Sequence, residues 1–164
     1  MLQRLVQNLF GAWFGVWRWF PRPALARIAA AIGAGERGHS GEVCFAVESR
    51  FAPWQVLAGR TVGARARQVF GRLGVWDTQD NSGVLLYLQL AERRVEIVAD
   101  RGIAARVAPE QWQALCTQFA EEIRSGPAEA AVLACIGRIH ALLAAHFPAG
   151  DDNPREFPDD PIIL

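Results

Sequence analysis

The sequence predicts an α/β protein, specifically an α/β/α sandwich in which helices cover a small mixed central sheet. Two apolar runs, residues 84–90 and 94–99, are separated by a short polar turn and therefore predict a β-hairpin. A third strand is predicted after Gly41, where apolar and polar residues alternate with a period of two. Segments with helical spacing of apolar residues lie before, between and after these strands, and this order predicts packed layers.

The helices follow from their start and stop signals. Pro23 begins an alanine-rich helix that is predicted to end at Gly33 and Gly35, because proline suits the first turn and glycine suits the end. Pro109 begins a later helix, which the sequence Ser125-Gly126-Pro127 breaks. The strand over residues 84–90 is so apolar that we expect it to be buried on both faces. The remaining predicted helices cover residues 61–73 and 128–146.

Three parts of the chain differ in composition. Residues 1–20 are predicted to form an amphipathic, aromatic-rich N-terminal helix, residues 21–148 form the α/β domain, and residues 149–164 form an acidic, proline-rich tail. The length of 164 residues and a hydrophobic content of 51% predict a folded domain with a substantial core.

The charge and cysteine content exclude several classes of function. The formal net charge is zero, which argues against nucleic acid as a partner because phosphate binding needs a basic surplus. All 17 basic residues are arginines, so lysine nucleophiles are excluded. Cys44, Cys116 and Cys135 are far apart in an apolar setting, and we expect them to be buried free thiols rather than metal ligands.

The N-terminal segment has two interpretations. Its apolar residues recur at helical spacing from Leu2 to Phe20, and the helix either docks on its own domain or a partner protein, or lies in a membrane interface. We favour docking. The apolar part is too short to span a bilayer, which takes about 20 residues, and no small-residue cleavage site follows it. We therefore expect neither a transmembrane helix nor a signal peptide, and we expect the protein to be cytoplasmic. Under the second interpretation, it would also attach peripherally to the inner membrane.

The hairpin predicts where polar residues converge. Residues pair when their numbers sum to about 183 or 184, so Val84 faces Ala99 or Asp100. If the strand after Gly41 is joined to strand 84–90 by a right-handed helical crossover, the two strands are parallel and begin at the same edge. We call this edge the rim. Its predicted members are His39, Glu42, Asp77, Asp80, Asp100 and Arg101.

The chemistry of the rim suggests a cation site. Clustered carboxylates repel one another unless a cation or proton lies between them, and oxygen-rich groups suit Ca²⁺ or Mg²⁺. The predicted metal ligands are Asp77, Asp80 and Asp100, with His39 and Glu42 in addition. A bound metal could hold a phosphoryl group, with Asp80, Asp100 and Arg101 as the candidate catalytic residues. The alternative is that the aspartates only stabilise turns.

Other chemistry is not supported. The spacing Gly33-x-Gly35-x-x-Gly38 follows a helix and precedes a strand, the reverse of a dinucleotide-binding loop. Ser40 does not lie in the turn that a hydrolase nucleophile needs. We expect no nucleotide or organic cofactor. His140 and His146 do not share a helix face, and we expect ordinary surface or half-buried histidines.

Four segments resemble the TPM-domain family, and in particular its short bacterial members. They are residues 36–43, 76–78, 83–88 and 92–103, and the resemblance covers residues 20–147. It implies an α/β sandwich and a relationship to the photosystem repair phosphatase-like proteins of the thylakoid lumen. It also implies either a divalent-ion-binding accessory role or acid phosphatase activity. The family often has asparagine directly before the glycine that begins the second strand, whereas this chain has Ser82 there and Asn81 one residue earlier.

The sequence is therefore consistent with three hypotheses about function. The first is a divalent-cation-binding accessory or interaction module. The second is a metal-assisted phosphatase acting on phosphomonoesters at the same rim. The third is a membrane-surface adaptor that acts through residues 1–20. The first is our preferred interpretation.

Overall fold

The computed structural model describes residues 1–10, 15–150 and 156–164. The elements in chain order are α1 (Leu2–Phe10), α2 (Val16–Trp19), α3 (Arg22–Glu36), β1 (Glu42–Glu48), α4 (Pro53–Leu57), α5 (Val62–Leu73), β2 (Gly83–Gln89), β3 (Arg94–Ala99), α6 (Arg101–Ala104), α7 (Pro109–Ser125), α8 (Ala128–His146) and β4 (Ile162–Ile163).

The strands form one mixed sheet in the order β3-β2-β1-β4. β1 and β2 are parallel, with Glu42 opposite Gly83, and β2 and β3 are antiparallel, with Val84 opposite Ala99. The hairpin register and the parallel crossover are therefore as predicted from the sequence. β4 was not predicted as a strand. It pairs in parallel with β1 because the apolar end of the tail returns along the sheet, with Ile162 opposite Ala46.

Helices cover both faces of the sheet, so the predicted α/β/α arrangement is confirmed. Alternate residues of β1 point to opposite faces: Val43, Phe45 and Val47 pack with α3, α7 and α8, whereas Cys44 and Ala46 pack with α4 and α5. β2 is buried along its whole length, as its apolar sequence predicts. Capping at both ends sets the bounds of α5. At its start, Thr61 Oγ1 accepts from the Ala64 backbone N–H, and at its end Gly74 adopts the left-handed region with φ 70°.

α3 is longer than predicted. It runs through Gly33 and Gly35 to Glu36 instead of ending at these glycines. The reason is tertiary, because Gly35 lies against α8, and a Cβ atom at position 35 would be only 2.1 Å from Cδ2 of His140. The glycine that looks like a stop signal in the sequence is needed for close helix packing.

In the N-terminal segment, the structure describes α1 and α2, on either side of residues 11–14. Trp13 and Phe14, which contributed to its predicted apolar face, lie outside the described residues. α1 docks on the domain through polar side chains. Arg4 forms an ion pair with Glu92 at 2.8 Å, and the Asn8 side chain is buried. The docking interpretation of residues 1–20 is thus supported for α1, although only Leu5 of its apolar residues packs against the core, while Leu2, Val6, Leu9 and Phe10 are exposed.

Asn8 connects α1 to two other parts of the fold. Its Oδ1 accepts from the Phe51 backbone N–H at 2.7 Å and from Gln89 Nε2 at 2.9 Å. Its Nδ2 donates to Glu92 Oε1 at 3.0 Å and to the Arg4 carbonyl at 2.9 Å. Both ends of the amide are therefore used by a side chain that is only 2% exposed, and this amide helps to fix the position of α1.

α8 is the one helix of the described residues that is long and apolar enough to cross a membrane by length and composition. Eight of its residues are buried among the helices and the sheet, including Val132, Ile136 and Ile139. This is the environment of a core helix in a globular domain.

Replacing Asn8 with alanine should destabilise the fold. The Phe51 N–H and the Gln89 amide would stay buried without their partner, and we expect the free energy of unfolding to fall by about 2 kcal/mol. Urea denaturation followed by circular dichroism would measure this. Gln3→Ala, at an exposed position of the same helix, should change the free energy of unfolding by less than about 0.5 kcal/mol. Equal effects of the two substitutions would contradict the role assigned to Asn8.

Candidate functional site

Three chain segments meet at the rim through backbone hydrogen bonds. The Asp100 N–H donates to the Gly83 carbonyl at 2.8 Å, and the Glu42 N–H donates to the Ser82 carbonyl at 3.1 Å. The starts of β1 and β2 and the end of β3 therefore lie side by side. This follows from the register of the sheet, which places β1 parallel and β3 antiparallel to β2.

The loop before β2 packs directly on α6. The Gly102 N–H donates to the Asn81 carbonyl at 3.1 Å, and a Cβ atom at position 102 would lie 2.5 Å from the Asp80 carbonyl oxygen and 2.7 Å from that of Asn81. Glycine is required there because any side chain would displace the loop. Asn81 has a φ of 52°, which asparagine tolerates better than most residues. Two carbonyl oxygens are thus held against the start of α6.

Asp100 is the most informative side chain of the rim. Its Oδ1 accepts from the Arg101 N–H at 2.7 Å and so caps α6. Its Oδ2 is buried, and no partner for it exists among the described residues. A buried oxygen of this kind is unfavourable unless a donor, a proton or a cation reaches it. Arg101 does not donate to Oδ2 in this structure, and its Nε donates to Asn81 Oδ1 at 2.7 Å instead.

The other predicted ligands are arranged less favourably. Asp77 and Asp80 are exposed on the loop, and the Asp77 N–H closes a turn to the Gly74 carbonyl at 2.8 Å. Within residues 1–10, 15–150 and 156–164, no group of three or more His, Cys, Asp or Glu side chains is close enough to hold a metal ion. The structure brings together Asp100, the loop carbonyls and Arg101, but not the whole predicted ligand set.

The C-terminal tail reaches the rim, which the sequence did not lead us to expect. Glu42 is buried, and its Oε2 accepts from the Phe157 N–H at 3.1 Å. Burial raises the pKa of the Glu42 carboxyl. Glu156 accepts from the Gln79 N–H at 3.0 Å. The apolar pair Ile162-Ile163 was the available signal, because pairing as β4 beside β1 brings the preceding acidic residues to the strand starts.

His39 is not an open ligand but half of a buried pair. Its Nδ1 accepts from the Gly41 N–H at 3.1 Å, and its Nε2 lies 2.7 Å from Nδ1 of His140 on α8. Since the Gly41 N–H must donate, we assign the His39 proton to Nε2, which donates to His140. His39 would have to leave this pair to reach a cation. His140, predicted to be a surface or half-buried residue, is buried because α3 and α8 pack together around it.

A second cluster of polar residues lies at the opposite end of β1. Arg65 donates to both Glu48 oxygens, at 2.8 and 3.0 Å, and the Tyr87 hydroxyl also donates to Glu48. Burial and the Glu48 carboxylate raise the pKa of Tyr87. The three groups satisfy one another, so this cluster is a structural link between α5 and the sheet.

The cysteines offer no nucleophile. Cys44, Cys116 and Cys135 are free, as predicted, although Cys116 is only half-buried. Burial raises the pKa of the Cys44 and Cys135 thiols to about 12 and that of Cys116 to about 11. The thiolate, which is the reactive form, is therefore disfavoured.

Comparison with known proteins relates the chain to one family and one solved fold. The family model of the TPM domain matches residues 20–142. The structure is similar to the NMR structure of the BA42 protein from the psychrophilic bacterium Bizionia argentinensis, with a TM-score of 0.79 and 23% sequence identity, covering 89% of this chain and 96% of that chain. A likeness at this identity concerns the fold alone. The comparison with curated proteins gave no match.

The histidine pair should make stability depend on pH. Burial lowers the pKa of His39, and burial together with His39 lowers the pKa of His140 to about 4. The unfolded chain therefore binds more protons as the pH falls below about 6.5, so the free energy of unfolding should decrease from there towards pH 4. We expect His140 to account for about 3 kcal/mol of this decrease by pH 4.

Urea denaturation across this pH range would measure the effect. His140→Gln should flatten the pH dependence, whatever its effect on stability at neutral pH. His146→Gln, in the last turn of the same helix and outside the pair, should keep it. An unchanged pH dependence in His140→Gln would show that the pair is not responsible.

Proposed function

Because this chain belongs to the TPM-domain family, we propose that its rim binds a divalent cation and that the protein is a cation-binding accessory or interaction module. The rim lies on the family's α/β scaffold, at the edge where β1 and β2 begin. A role of this kind requires binding and presentation of an ion, and it requires no turnover.

The buried Oδ2 atom of Asp100 carries the proposal. It is a carboxylate oxygen without a partner among the described residues, and it belongs to a side chain whose other oxygen is fixed by the Arg101 N–H. The carbonyl groups of Asp80 and Asn81 lie against the neighbouring Gly102. Carboxylate and carbonyl oxygens are the ligands that hard cations prefer.

Ca²⁺ fits these groups better than Mg²⁺. Calcium accepts carbonyl oxygens, carboxylates and water in flexible geometry, whereas magnesium demands a near-ideal octahedron. Asp100 and Asp80 would hold the ion, with Asn81 in addition. Asp77 and Glu156 lie on or against the same loop and add negative charge. This proposal does not use His39, because its ring is occupied by Gly41 and His140.

Thermal unfolding provides the direct test. In Ca²⁺ at about 100 times its dissociation constant, the free energy of unfolding should rise by about 2.7 kcal/mol relative to EDTA at matched ionic strength. We expect a smaller increase in Mg²⁺. Asp100→Asn and Asp80→Asn should each reduce the increase in Ca²⁺, and asparagine at position 100 still caps α6.

The matched control is Glu121→Gln, which removes one exposed negative charge from α7. It should retain the full response to Ca²⁺. The proposal fails if no divalent cation raises the unfolding temperature, or if Glu121→Gln reduces the response as much as Asp100→Asn does.

A metal-assisted phosphatase would use the same rim, with Arg101 binding the phosphoryl group. The exposed Arg101 side chain, held by Asn81 beside Asp100, is the observation that favours it. For an accessory module, we expect p-nitrophenyl phosphate hydrolysis in Ca²⁺ or Mg²⁺ to be no faster than in EDTA. A cation-dependent rate that Arg101→Gln and Asp80→Asn both reduce would assign the enzymatic function instead.

A further inference from the structure

α1 presents an apolar stripe to solvent. Its residues Arg4, Leu5 and Asn8 face the domain, so the helix is fixed by hydrogen bonds, an ion pair and the packing of Leu5 against the core. Leu2 and Phe10 are 76% and 67% exposed, and Val6 between them is also exposed. An amphipathic helix on a globular domain normally buries its apolar face. In α1 the apolar face is instead exposed, so it is available to bind a partner molecule or a membrane.

α4 extends the same surface. It packs against α1, and its Trp54 and Leu57 side chains are 71% and 60% exposed. A cleft of about 520 Å³ joins the two helices and is lined by Leu9, Trp54, Arg50 and Leu164, among others. The α1–α4 surface is defined here as Leu2, Val6, Leu9, Phe10, Trp54 and Leu57. Contiguous exposed apolar groups of this kind mark interaction sites.

The charged residues beside the α1–α4 surface fit an anionic partner. Arg50 is exposed at the cleft, and Arg60 follows α4, where its backbone carbonyl accepts from Arg4 of α1 at 2.7 Å. Of the acidic groups closest to α1, Glu48 is paired with Arg65 and Glu92 with Arg4. Neither α1 nor α4 carries an acidic side chain.

We infer that the α1–α4 surface docks the protein on an anionic lipid bilayer. Leucine and phenylalanine side chains would enter the interface, Trp54 would lie at headgroup depth, and arginines would face the lipid phosphates. A second copy of the chain is a poorer occupant, because the arginines beside the two surfaces would repel each other and neither α1 nor α4 supplies an acidic side chain to pair with them. The rim lies at the other end of β1, about 20 Å away for a strand of this length. In this orientation, the acidic rim faces away from the bilayer.

Vesicle flotation of the full chain would test the inference. We expect binding to vesicles of equimolar phosphatidylglycerol and phosphatidylcholine, and weaker binding to phosphatidylcholine alone or at high salt. The double variant Phe10→Gln, Trp54→Gln should bind at least about tenfold more weakly, since two large apolar side chains no longer enter the interface. Arg50→Gln should weaken binding by about fivefold.

Trp76→Gln is the matched control, because Trp76 is also an exposed tryptophan but lies beside the rim. It should bind like the unmodified chain. Thermal unfolding of each variant would show that the substitutions leave the fold intact, as their exposed positions predict.

Two results would overturn the inference. One is vesicle binding that does not depend on lipid charge or is unchanged in the double variant. The other is a dimer in light scattering that the double variant dissociates, without lipid binding, since the α1–α4 surface would then belong to a second copy. Neither result bears on the response to Ca²⁺, which tests the rim separately.

Discussion

The burial of β2 is the constraint on which the rest of the structure depends. Every residue of Gly83–Gln89 is buried, so each backbone N–H and C=O group needs a partner within the protein. β1 supplies these partners on one side and β3 on the other. Because β1 is parallel and β3 antiparallel to β2, two strand starts and one strand end must lie at the same edge. The rim is therefore a consequence of the hydrogen bonds that the backbone of β2 must form with its two neighbouring strands.

The buried polar side chains at the two ends of the sheet differ in how completely they are hydrogen-bonded. At the end where β1 and β2 finish, Glu48, Arg65 and Tyr87 bond to one another, and Asn8 uses both ends of its amide. At the rim, one carboxylate oxygen of Asp100 is buried without a partner among the described residues. Folded proteins rarely leave a buried polar atom without a hydrogen-bond partner, unless a bound water, ion or ligand contacts it. This contrast, more than the number of acidic residues, is the reason for proposing the rim as a binding site.

The rim and the α1–α4 surface divide the molecule into two chemically different ends. The first is acidic and formed by loops, and the second is apolar with Arg50 and Arg60 beside it. β1 connects them, with Glu42 at the rim and Glu48 near α1. The tail also links both ends, since Phe157 bonds to Glu42 and Leu164 lines the cleft beside Leu9. The two proposed sites therefore lie at opposite ends of one small domain with a single central sheet.

The sequence by itself determined the layers, the hairpin register and the meeting of three segments at the rim. These depend on local periodicity, on proline and glycine signals and on strand pairing rules, all of which operate over short stretches. Only the tertiary structure decided the continuation of α3 past Gly33, the burial of the His39–His140 pair, the return of the tail as β4 and the face by which α1 docks. Each of these requires partners distant in the chain, and a side chain such as Asn8 or His140 shows no sign of its partner in its own neighbourhood.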